Sequence, residues 1–337
     1  MKILVTGGLG YIGSHTSVEL LNQNHEISII DDLSNSSDEI LKNIKLITKK
    51  NIDYYNINIC DRKNIDELFA SNKFDAVIHF AGLKSVKESE EKPEKYSKVN
   101  INGTENLLNA FSKFNKKIKT FIFSSSACIY GDEAKLPLSE DSITSPKSVY
   151  GKTKLEVEKL LFNRVKKDVS WKALSLRYFN PLGAHKSLLI GENPKTHPEN
   201  LMPYILDVGA KKFPYLKIFG NDYKTEDGTA IRDFIHVEDL ALGHIRGLNF
   251  LIKQEGSFYE SINLGTGKGY SVLDVVKAFE VVNEINIPHK FYPRRQGDVE
   301  ACYADISKAK KLLNWIPKKN IQDMCKSSWN FRQNRKK

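Results

Sequence analysis

A glycine-rich turn near the N-terminus constrains the fold more than any other feature of the sequence. The apolar run at residues 3–6 is followed at once by GGLGYIG, residues 7–13, and then by a stretch with helical periodicity. These glycines fit both GxGxxG and GxxGxxG, patterns in which the backbone turns tightly and approaches a pyrophosphate at the start of a helix. The order of strand, turn and helix predicts a dinucleotide-binding unit.

The acidic residue at the end of the second apolar run indicates which dinucleotide is bound. Asp31 lies 18 residues beyond Gly13, where a carboxylate accepts hydrogen bonds from an adenosine ribose. Its charge disfavours the 2'-phosphate of NADP, and no Arg or Lys lies between Leu33 and Ser37 to offset it. NAD is therefore the predicted cofactor, and the alternative is that Asp31 only caps a turn with Asp32.

The alternation of apolar runs and amphipathic stretches predicts a doubly wound α/β fold. Continuous apolar strands separated by helices are typical of a parallel sheet that is covered on both faces, a Rossmann-like domain over residues 1–180. Prolines become frequent from Pro181 onward, which predicts a smaller mixed α/β lobe over residues 181–337. We expect strands near 234–237 and 261–264 to return to the first lobe.

Composition excludes several classes of protein. The excess of 51 Lys and Arg over 41 Asp and Glu gives a net charge of +10, but the lysines are dispersed, so nucleic acid is not the expected partner. The apolar runs are far shorter than the roughly 18 residues of a membrane span. The four cysteines are scattered without zinc or disulfide spacing. This spacing predicts no metal site. Because Met1 leads directly into a strand rather than into a leader, we expect a cytoplasmic protein.

A serine, a tyrosine and a lysine form the predicted catalytic group. Ser126 ends the strand-like run FIFSSS, and Tyr150 and Lys154 are four residues apart, so they share one face of a helix. The pKa of tyrosine is near 10, and a lysine ammonium about 4 Å away is expected to lower it to about 7, where the phenolate can act as a base. The simpler alternative is an exposed helical pair.

Together, these motifs resemble the extended short-chain dehydrogenase/reductase family, and within it the UDP-glucose 4-epimerases. The resemblance runs through TGGLGYIGSH, HFAGLK, FIFSSSACIYG, YGKTKLEVE, LRYFNPLGAH, IFGNDYKTEDGTAIRDFIHV and RRQGD. It implies that Tyr150 removes the proton of the sugar 4-hydroxyl while hydride passes from C4 to a tightly held NAD. The 4-keto sugar then rotates and takes the hydride back on its other face, which interconverts UDP-glucose and UDP-galactose.

The resemblance also implies two sets of contact residues. The cofactor set is Gly7, Gly10, Tyr11, Ile12, Gly13, Asp31, Asp32, Asn35, Ser36, Asn58, Ile59, Phe80, Ala81, Gly82, Lys84, Asn100, Ser124, Tyr150, Lys154 and Tyr178. The set for the UDP-hexose substrate is Lys84, Ser126, Tyr150, Asn180, Asn200, Leu201, Phe219, Arg232, Arg295, Asp298 and Cys302. Two arginines are also what a diphosphate requires on chemical grounds. The chain departs from the family at Asn58, where Asp is common, and at Val99, where Asn is frequent.

Cys302 bears on which sugar is accepted. Members of the family that are restricted to glucose and galactose typically carry tyrosine there, and members that also accept N-acetylated sugars carry a small residue. The resemblance therefore implies activity on UDP-GlcNAc and UDP-GalNAc as well. The alternative is that Cys302 is a small packing residue, as free cysteines usually are.

The sequence leaves two rival functions open, and the resemblance implies one assembly state. A 4,6-dehydratase or decarboxylase could use the same scaffold, but Ser126-Ala127-Cys128 lacks the acid pair that elimination requires. A non-catalytic NAD-binding regulator is the rival from another class. The resemblance implies a homodimer through helices near 104–114 and 150–166, although the apolar residues there could equally face the core: Leu107, Leu108, Phe111, Leu155, Leu160 and Leu161.

Overall fold

The strands of the protein form one large and two small sheets. The computed structural model describes residues 1–131, 134–195, 198–295 and 297–335. In chain order the described strands are β1 (Lys2–Thr6), β2 (Glu26–Ile30), β3 (Asp53–Tyr55), β4 (Ala76–His79), β5 (Lys119–Ser126), β6 (Trp171–Tyr178), β7 (Asn180–Leu182), β8 (Leu216–Phe219), β9 (Ile231–His236), β10 (Phe258–Leu264), β11 (Gly269–Ser271), β12 (His289–Tyr292) and β13 (Ala301–Cys302).

Helices cover both faces of the large sheet and build the second lobe. They are α1 (Tyr11–Asn22), α2 (Asp38–Thr48), α3 (Arg62–Ser71), α4 (Val86–Glu91), α5 (Pro93–Tyr96), α6 (Gly103–Phe114), α7 (Val149–Lys167), α8 (Leu201–Gly209), α9 (Val237–Lys253), α10 (Val272–Asn283), α11 (Ser307–Leu313) and α12 (Ile321–Asn334). A π-helical turn, Ser97–Asn102, precedes α6, and a 3-10 turn, Ala127–Ile129, follows β5.

The large sheet is parallel throughout, with the strand order β10-β6-β5-β4-β1-β2-β3. Alternate side chains of β1 enter opposite cores, because Ile3 and Val5 pack with α1 and α9 whereas Leu4 packs with α3, α6 and α7. The chain runs outward from β1 to β3 and then crosses to β4, so the strand order reverses between β1 and β4. Ligands bind in the crevice at such a switch point in open α/β sheets.

The second lobe has its own core. One small sheet has the order β11-β9-β13, with β7 paired to β9, and β8 pairs with β12. A third apolar cluster joins α8, α10 and α12. The prediction that a strand near 234–237 returns to the first lobe is wrong, because β9 pairs with β7, β11 and β13 in the small sheet of the second lobe. The element that returns is α9, which packs on α1, and β10 then adds to β6.

The helices predicted to form a dimer interface direct most of their apolar residues inward. Leu107, Leu108, Phe111 and Leu161 have no exposed surface and lie in the core beneath the large sheet. The exposed apolar residue on α7 is Phe162, which is 50% exposed. Among the described residues, no helix is long and apolar enough to cross a membrane.

Candidate active site

The glycine-rich turn at residues 7–13 is packed so closely that it excludes side chains. Gly7 has a φ of +65°, and a Cβ on it would lie 2.6 Å from the Ala81 nitrogen. A Cβ on Gly13 would lie 2.2 Å from the Gly7 carbonyl oxygen. Helix α1 begins directly after Gly10, with no described side chain capping it and no acidic residue in its first turn. The first amides, at Tyr11 and Ile12, are therefore suited to an anionic group.

Asp31 ties the turn after β2 to the glycine turn. One carboxylate oxygen accepts from the Leu9 amide at 3.1 Å, and the other accepts from the Leu33 amide at 3.0 Å and the Ser36 hydroxyl at 2.6 Å. Burial raises the pKa of Asp31, and these three hydrogen bonds oppose the rise. A carboxylate has about four acceptor positions, so one remains for a ribose hydroxyl. The neighbouring Asn35 is exposed at the same turn.

The departure at Asn58 has a local explanation. The Asn58 amide donates to an Asp32 carboxylate oxygen at 2.7 Å, and its own oxygen accepts from the Cys60 amide at 2.8 Å. An aspartate at this position would bring a second negative charge next to Asp32. The adjacent Ile59 side chain is buried, and a Cβ on Gly103 would come within 2.8 Å of it.

The loop after β4 is anchored by Asn100. The Asn100 side chain accepts from the Leu83 amide at 2.8 Å, donates to the Leu83 carbonyl at 3.1 Å and reaches Thr153 on α7 at 3.1 Å. Gly82 lies so near that a Cβ on it would be 3.1 Å from the Asn100 oxygen. Asn100 is buried behind this loop, and it therefore positions Ala81 and Gly82 relative to the catalytic helix.

Two predicted cofactor residues, Phe80 and Tyr178, contact a histidine that the motifs did not indicate. The Phe80 ring centre lies 4.9 Å from that of His244 on α9. Nδ1 of His244 donates to the Leu240 carbonyl at 2.8 Å, so Nε2 accepts from the Tyr178 hydroxyl. Ser124 also hydrogen-bonds to Tyr178, whose pKa burial raises well above its ordinary value. Sequence reasoning missed His244, because it lies far along the chain from its partners.

The catalytic trio converges where β5 ends and α7 begins. The Ser148 hydroxyl caps α7 by accepting from the Gly151 amide at 3.0 Å, which turns Tyr150 and Lys154 toward β5. Lys154 Nζ donates to the Ser124 carbonyl at 2.7 Å and lies 5.7 Å from the Tyr150 ring centre. Ser126 hydrogen-bonds to Tyr150. The predicted group is thus brought together.

The prediction that Lys154 lowers the pKa of Tyr150 is wrong for the protein by itself. Burial raises the pKa of Tyr150, the nearby Cys128 thiolate adds to this effect, and the hydrogen bond from Ser126 opposes it. Burial also lowers the pKa of Lys154 to about 8. The physical reason is that loss of water penalises both charged groups, and that the Lys154 ammonium donates to a backbone carbonyl.

Cys128 joins the catalytic trio to the substrate side. Its amide donates to the Ser126 hydroxyl at 3.1 Å, and its carbonyl oxygen lies 2.4 Å from where a Cβ on Gly151 would be. The residue is exposed, and the charges of Arg232 and Asp298 both act on its thiol. Loss of water around the thiol from the protein atoms packed near it nevertheless raises its pKa. Sequence reasoning missed this position of Cys128, although its place two residues after Ser126 could have indicated it.

The residues predicted to hold the diphosphate lie at the two small sheets of the second lobe and in the loop after β12. Arg232 on β9 lies opposite Cys302 on β13 in the strand register, and its guanidinium is 3.7 Å from Asp298. The Arg295 guanidinium lies 4.2 Å from the Phe219 ring centre. Burial raises the pKa of Cys302 to about 12. Asn180 is exposed on β7, the neighbour of β9.

A glutamate connects the remaining predicted substrate residues. One oxygen of Glu192 accepts from Lys84 Nζ at 3.2 Å and from the Asn200 amide at 2.7 Å, and Leu201 begins α8 directly after Asn200. Tyr11 donates from its hydroxyl to the Gly183 carbonyl at 2.6 Å nearby. Sequence reasoning missed Glu192, because its partner Lys84 is 108 residues away.

Comparison with known proteins identifies the family. The model described as GDP-mannose 4,6 dehydratase matches residues 4–328. UDP-glucose 4-epimerase from Bacillus subtilis (strain 168) is 48% identical over 331 residues, 98% of this chain and 96% of that protein. The chain belongs to the UDP-glucose 4-epimerase family. The predicted family is confirmed.

Solved structures of this family have the same fold. UDP-glucose 4-epimerase from Stenotrophomonas maltophila, with bound NAD and formylated UDP-arabinopyranose, superposes with a TM-score of 0.96 at 42% identity, covering 100% of this chain and 99% of that one. The UDP-Glc/GlcNAc 4-epimerase of Campylobacter jejuni superposes with a TM-score of 0.84 at 35% identity and covers 99% of each chain. The predicted fold class, a doubly wound parallel sheet, is confirmed.

Proposed function

We propose that the protein is an NAD-dependent epimerase that interconverts UDP-glucose and UDP-galactose. The observation that carries the proposal is the convergence of Ser126, Tyr150 and Lys154 at the carboxyl end of β5, beside the glycine turn. The described residues suit NAD, because α1 begins without a side-chain cap and Asp31 retains an acceptor position. The family relatives with bound NAD and UDP-sugar support the same assignment.

Each catalytic residue has a distinct task in this reaction. The glycine turn and Asp31 would hold NAD, which would supply the acceptor and donor of hydride for C4 of the hexose. Tyr150 takes the proton from the 4-hydroxyl and gives it back, and Ser126 holds the phenol by a hydrogen bond. Because burial raises the pKa of Tyr150, the phenol needs positive charge close by before it can lose its proton. Lys154, fixed by the Ser124 carbonyl, supplies part of that charge.

The rival functions have less support. A 4,6-dehydratase needs an acid and a base to expel the 6-hydroxyl, and Ser126-Ala127-Cys128 offers a thiol whose pKa burial raises. A non-catalytic regulator would have no use for a tyrosine hydrogen-bonded to Ser126 with a buried lysine beside it.

The direct test uses the purified protein without added cofactor. Denaturation should release NAD, measured by absorbance and enzymatic assay, and UDP-glucose incubated with the intact protein should yield UDP-galactose by proton NMR. Absence of galactose-configured product, with Ser126, Tyr150 and Lys154 intact, would refute the proposal.

We further propose that the enzyme accepts UDP-GlcNAc and UDP-GalNAc. Cys302 lies opposite Arg232 in the small sheet, and a thiol occupies much less volume than the phenol ring of a tyrosine. The similarity to the UDP-Glc/GlcNAc enzyme of Campylobacter jejuni supports this broader specificity.

Replacement of this cysteine tests the broader specificity. Cys302→Tyr should lower kcat/KM for UDP-GalNAc by about 100-fold while sparing UDP-galactose, because the ring fills the space of the acetamido group. Cys302→Ser, which keeps a small side chain, is the matched control and should retain both activities. Equal loss of both activities in Cys302→Tyr would contradict the gatekeeper role.

We also propose a cytoplasmic homodimer that pairs through the outer faces of α6 and α7. The half-exposed Phe162 on α7 supports this interface, and the four free, scattered cysteines are compatible with a reducing compartment. Light scattering on the purified protein measures the assembly state, and a monomeric mass would contradict the dimer.

A further inference from the structure

A buried ion pair between α7 and β6 takes no direct part in the hydride and proton transfers. The Arg177 guanidinium donates from Nε to one oxygen of Glu158 at 3.0 Å and from a terminal nitrogen to the other oxygen at 2.7 Å. The two residues are 5% and 4% exposed. The removal of two such charges from water offsets much of their attraction, so the pair is better suited to fixing geometry than to adding stability.

The Glu158 carboxylate also joins the two segments that carry the catalytic trio. The oxygen that accepts from Arg177 Nε accepts in addition from the Ser125 hydroxyl at 2.5 Å. Ser125 directly precedes Ser126 on β5. Glu158 follows Lys154 by four residues, so their side chains share one face of α7. One carboxylate therefore holds the catalytic helix against the end of the catalytic strand.

The guanidinium of Arg177 is held from its other side as well. Its second terminal nitrogen donates to the Tyr130 hydroxyl at 2.9 Å and to the Glu140 carbonyl oxygen at 3.0 Å. Tyr130 in turn donates to the side chain of Asn263 on β10 at 2.7 Å. The Glu158 carboxylate is thus bound by a partner that is itself anchored to further parts of the chain, which leaves it little freedom to move.

Glu158 is also the charged neighbour of Lys154. Burial lowers the pKa of Lys154 to about 8, and the negative charges of Cys128 and Glu158 oppose that fall. Burial raises the pKa values of Cys128 and Tyr150 and lowers that of His79 to about 3, so these three neighbours are uncharged at neutral pH. The carboxylate one helical turn away is therefore the group that favours the ammonium form of Lys154.

We propose that Glu158 is a positioning residue for the catalytic lysine: it holds α7 against β5 and places a negative charge one helical turn from the Lys154 ammonium. The inference rests on the proposed function, because the charge of Lys154 matters to catalysis only if Tyr150 exchanges the proton of the 4-hydroxyl. Glu158 acts through Lys154 rather than on the sugar, since its side chain is buried between α7, β5 and β6.

Replacement of the carboxylate by an amide of the same shape tests the proposal in the full-length protein. Glu158→Gln should lower the pH at which Lys154 loses its proton by about one unit. NMR titration of protein labelled with carbon-13 at lysine Cε measures this pH, and the signal that is lost in Lys154→Arg assigns the residue. With UDP-galactose, kcat per bound NAD should then be about tenfold lower at pH 9 and nearly unchanged at pH 6.5. A residue that only supports the fold would lower kcat equally at both pH values.

A second variant covers the case in which Glu158→Gln does not fold because Arg177 is left buried without its partner. Glu158→Gln/Arg177→Met removes both charges and keeps an acceptor for the Ser125 hydroxyl. It should shift the Lys154 titration in the same direction, because the carboxylate is the closer of the two charges to Lys154.

The matched control is Glu156→Gln on the same helix. Glu156 is exposed and pairs with Lys159 at 3.4 Å, so this substitution removes an equal charge away from the catalytic face of α7. It should leave the Lys154 titration and the pH dependence of kcat unchanged. An unshifted Lys154 titration in the folded Glu158 variant, an equal shift in Glu156→Gln, or a loss of kcat that is independent of pH would overturn the proposal. The titration requires no turnover, so its failure is distinguishable from failure of the epimerase assay.

Discussion

At the carboxyl edge of the large sheet, the side chains of Asp31, Asn100 and Lys154 bond to backbone groups of other elements. At the two small sheets, by contrast, Arg295 packs on Phe219 and Arg232 pairs with Asp298. Arg295 and Asp298 are exposed, and the Arg232 side chain is 18% exposed. The cofactor side is therefore fixed by the fold, whereas the substrate side is held by contacts among its own side chains. Rigid placement serves catalysis, and exposed, adjustable contacts serve recognition.

Removal of the tyrosine hydroxyl should have the largest effect on the fixed side. Tyr150→Phe should lower kcat by about 1000-fold, because it deletes the group that moves the 4-hydroxyl proton. NAD content and thermal stability should be unchanged, which separates chemistry from cofactor binding. Tyr55→Phe, a change on β3 of the same sheet, is the control and should retain full kcat. A Tyr150→Phe enzyme with normal turnover would contradict the assignment.

A methyl group in the glycine turn tests how rigid the cofactor side is. Gly13→Ala places a Cβ 2.2 Å from the Gly7 carbonyl oxygen, so we expect a loss of about 1–3 kcal/mol in the free energy of unfolding and lower NAD content. Gly10→Ala is the matched control, because its nearest atom is 3.2 Å away. For both variants, chemical denaturation measures the free energy of unfolding, and NAD release on denaturation measures the NAD content. Similar losses in the two variants would show that the turn is not held as tightly as proposed.

Substitutions on the substrate side should change the affinity for the UDP-sugar and leave cofactor binding unchanged. Arg295→Ala should raise KM for UDP-galactose about tenfold and leave NAD content unchanged, because it removes one charge-assisted contact to the diphosphate. Its neighbour Arg294 pairs with Asp222 at 2.7 Å, so Arg294→Ala is a control of equal charge. Steady-state kinetics measures KM for both variants, and the same KM in the two would contradict the assignment of Arg295 to the diphosphate.

The last prediction concerns the pH dependence of the buried region. Burial lowers the pKa of His79 to about 3, below its value of about 6.5 in the unfolded chain. The unfolded state then binds the proton first, so stability is full above pH 6.5 and falls as the pH drops below it. Each such histidine contributes about 1.4 kcal/mol per pH unit to this slope.

Replacement of His79 isolates its share of the acid sensitivity. His79→Gln should reduce the slope of unfolding free energy between pH 6 and pH 4 by about 1.4 kcal/mol per pH unit. His289→Gln, which removes an exposed imidazole outside the core, is the matched control. Urea denaturation at several pH values measures the slope, and an unaltered slope in His79→Gln would contradict a buried neutral imidazole.

The sequence was sufficient where the chemistry is local. The glycine turn, Asp31 and the Tyr150–Lys154 pair were predictable because each depends on spacing within one strand–turn–helix unit or one helix. The strands of the large sheet were predictable from continuous apolar runs, apart from the three-residue β3, which is too short and polar for such a pattern.

The remainder depends on contacts between distant parts of the chain. Nothing near Glu192 or His244 in the sequence indicates that they would bond Lys84 and Tyr178, since these pairs form only when distant parts of the chain pack together. The return of α9 was misread as a return of β9 because strand pairing cannot be read from an apolar run. The pKa of Tyr150 was also beyond sequence reasoning, because it is raised mainly by burial of the phenol in the folded protein.

The central claim is that hydride leaves C4 and returns to C4 within one site. UDP-galactose labelled with deuterium at C4 should be converted, without added NAD, to UDP-glucose that retains deuterium at C4, as read by NMR and mass spectrometry. Loss of the label to solvent, or formation of a 4-keto-6-deoxy product, would contradict the account.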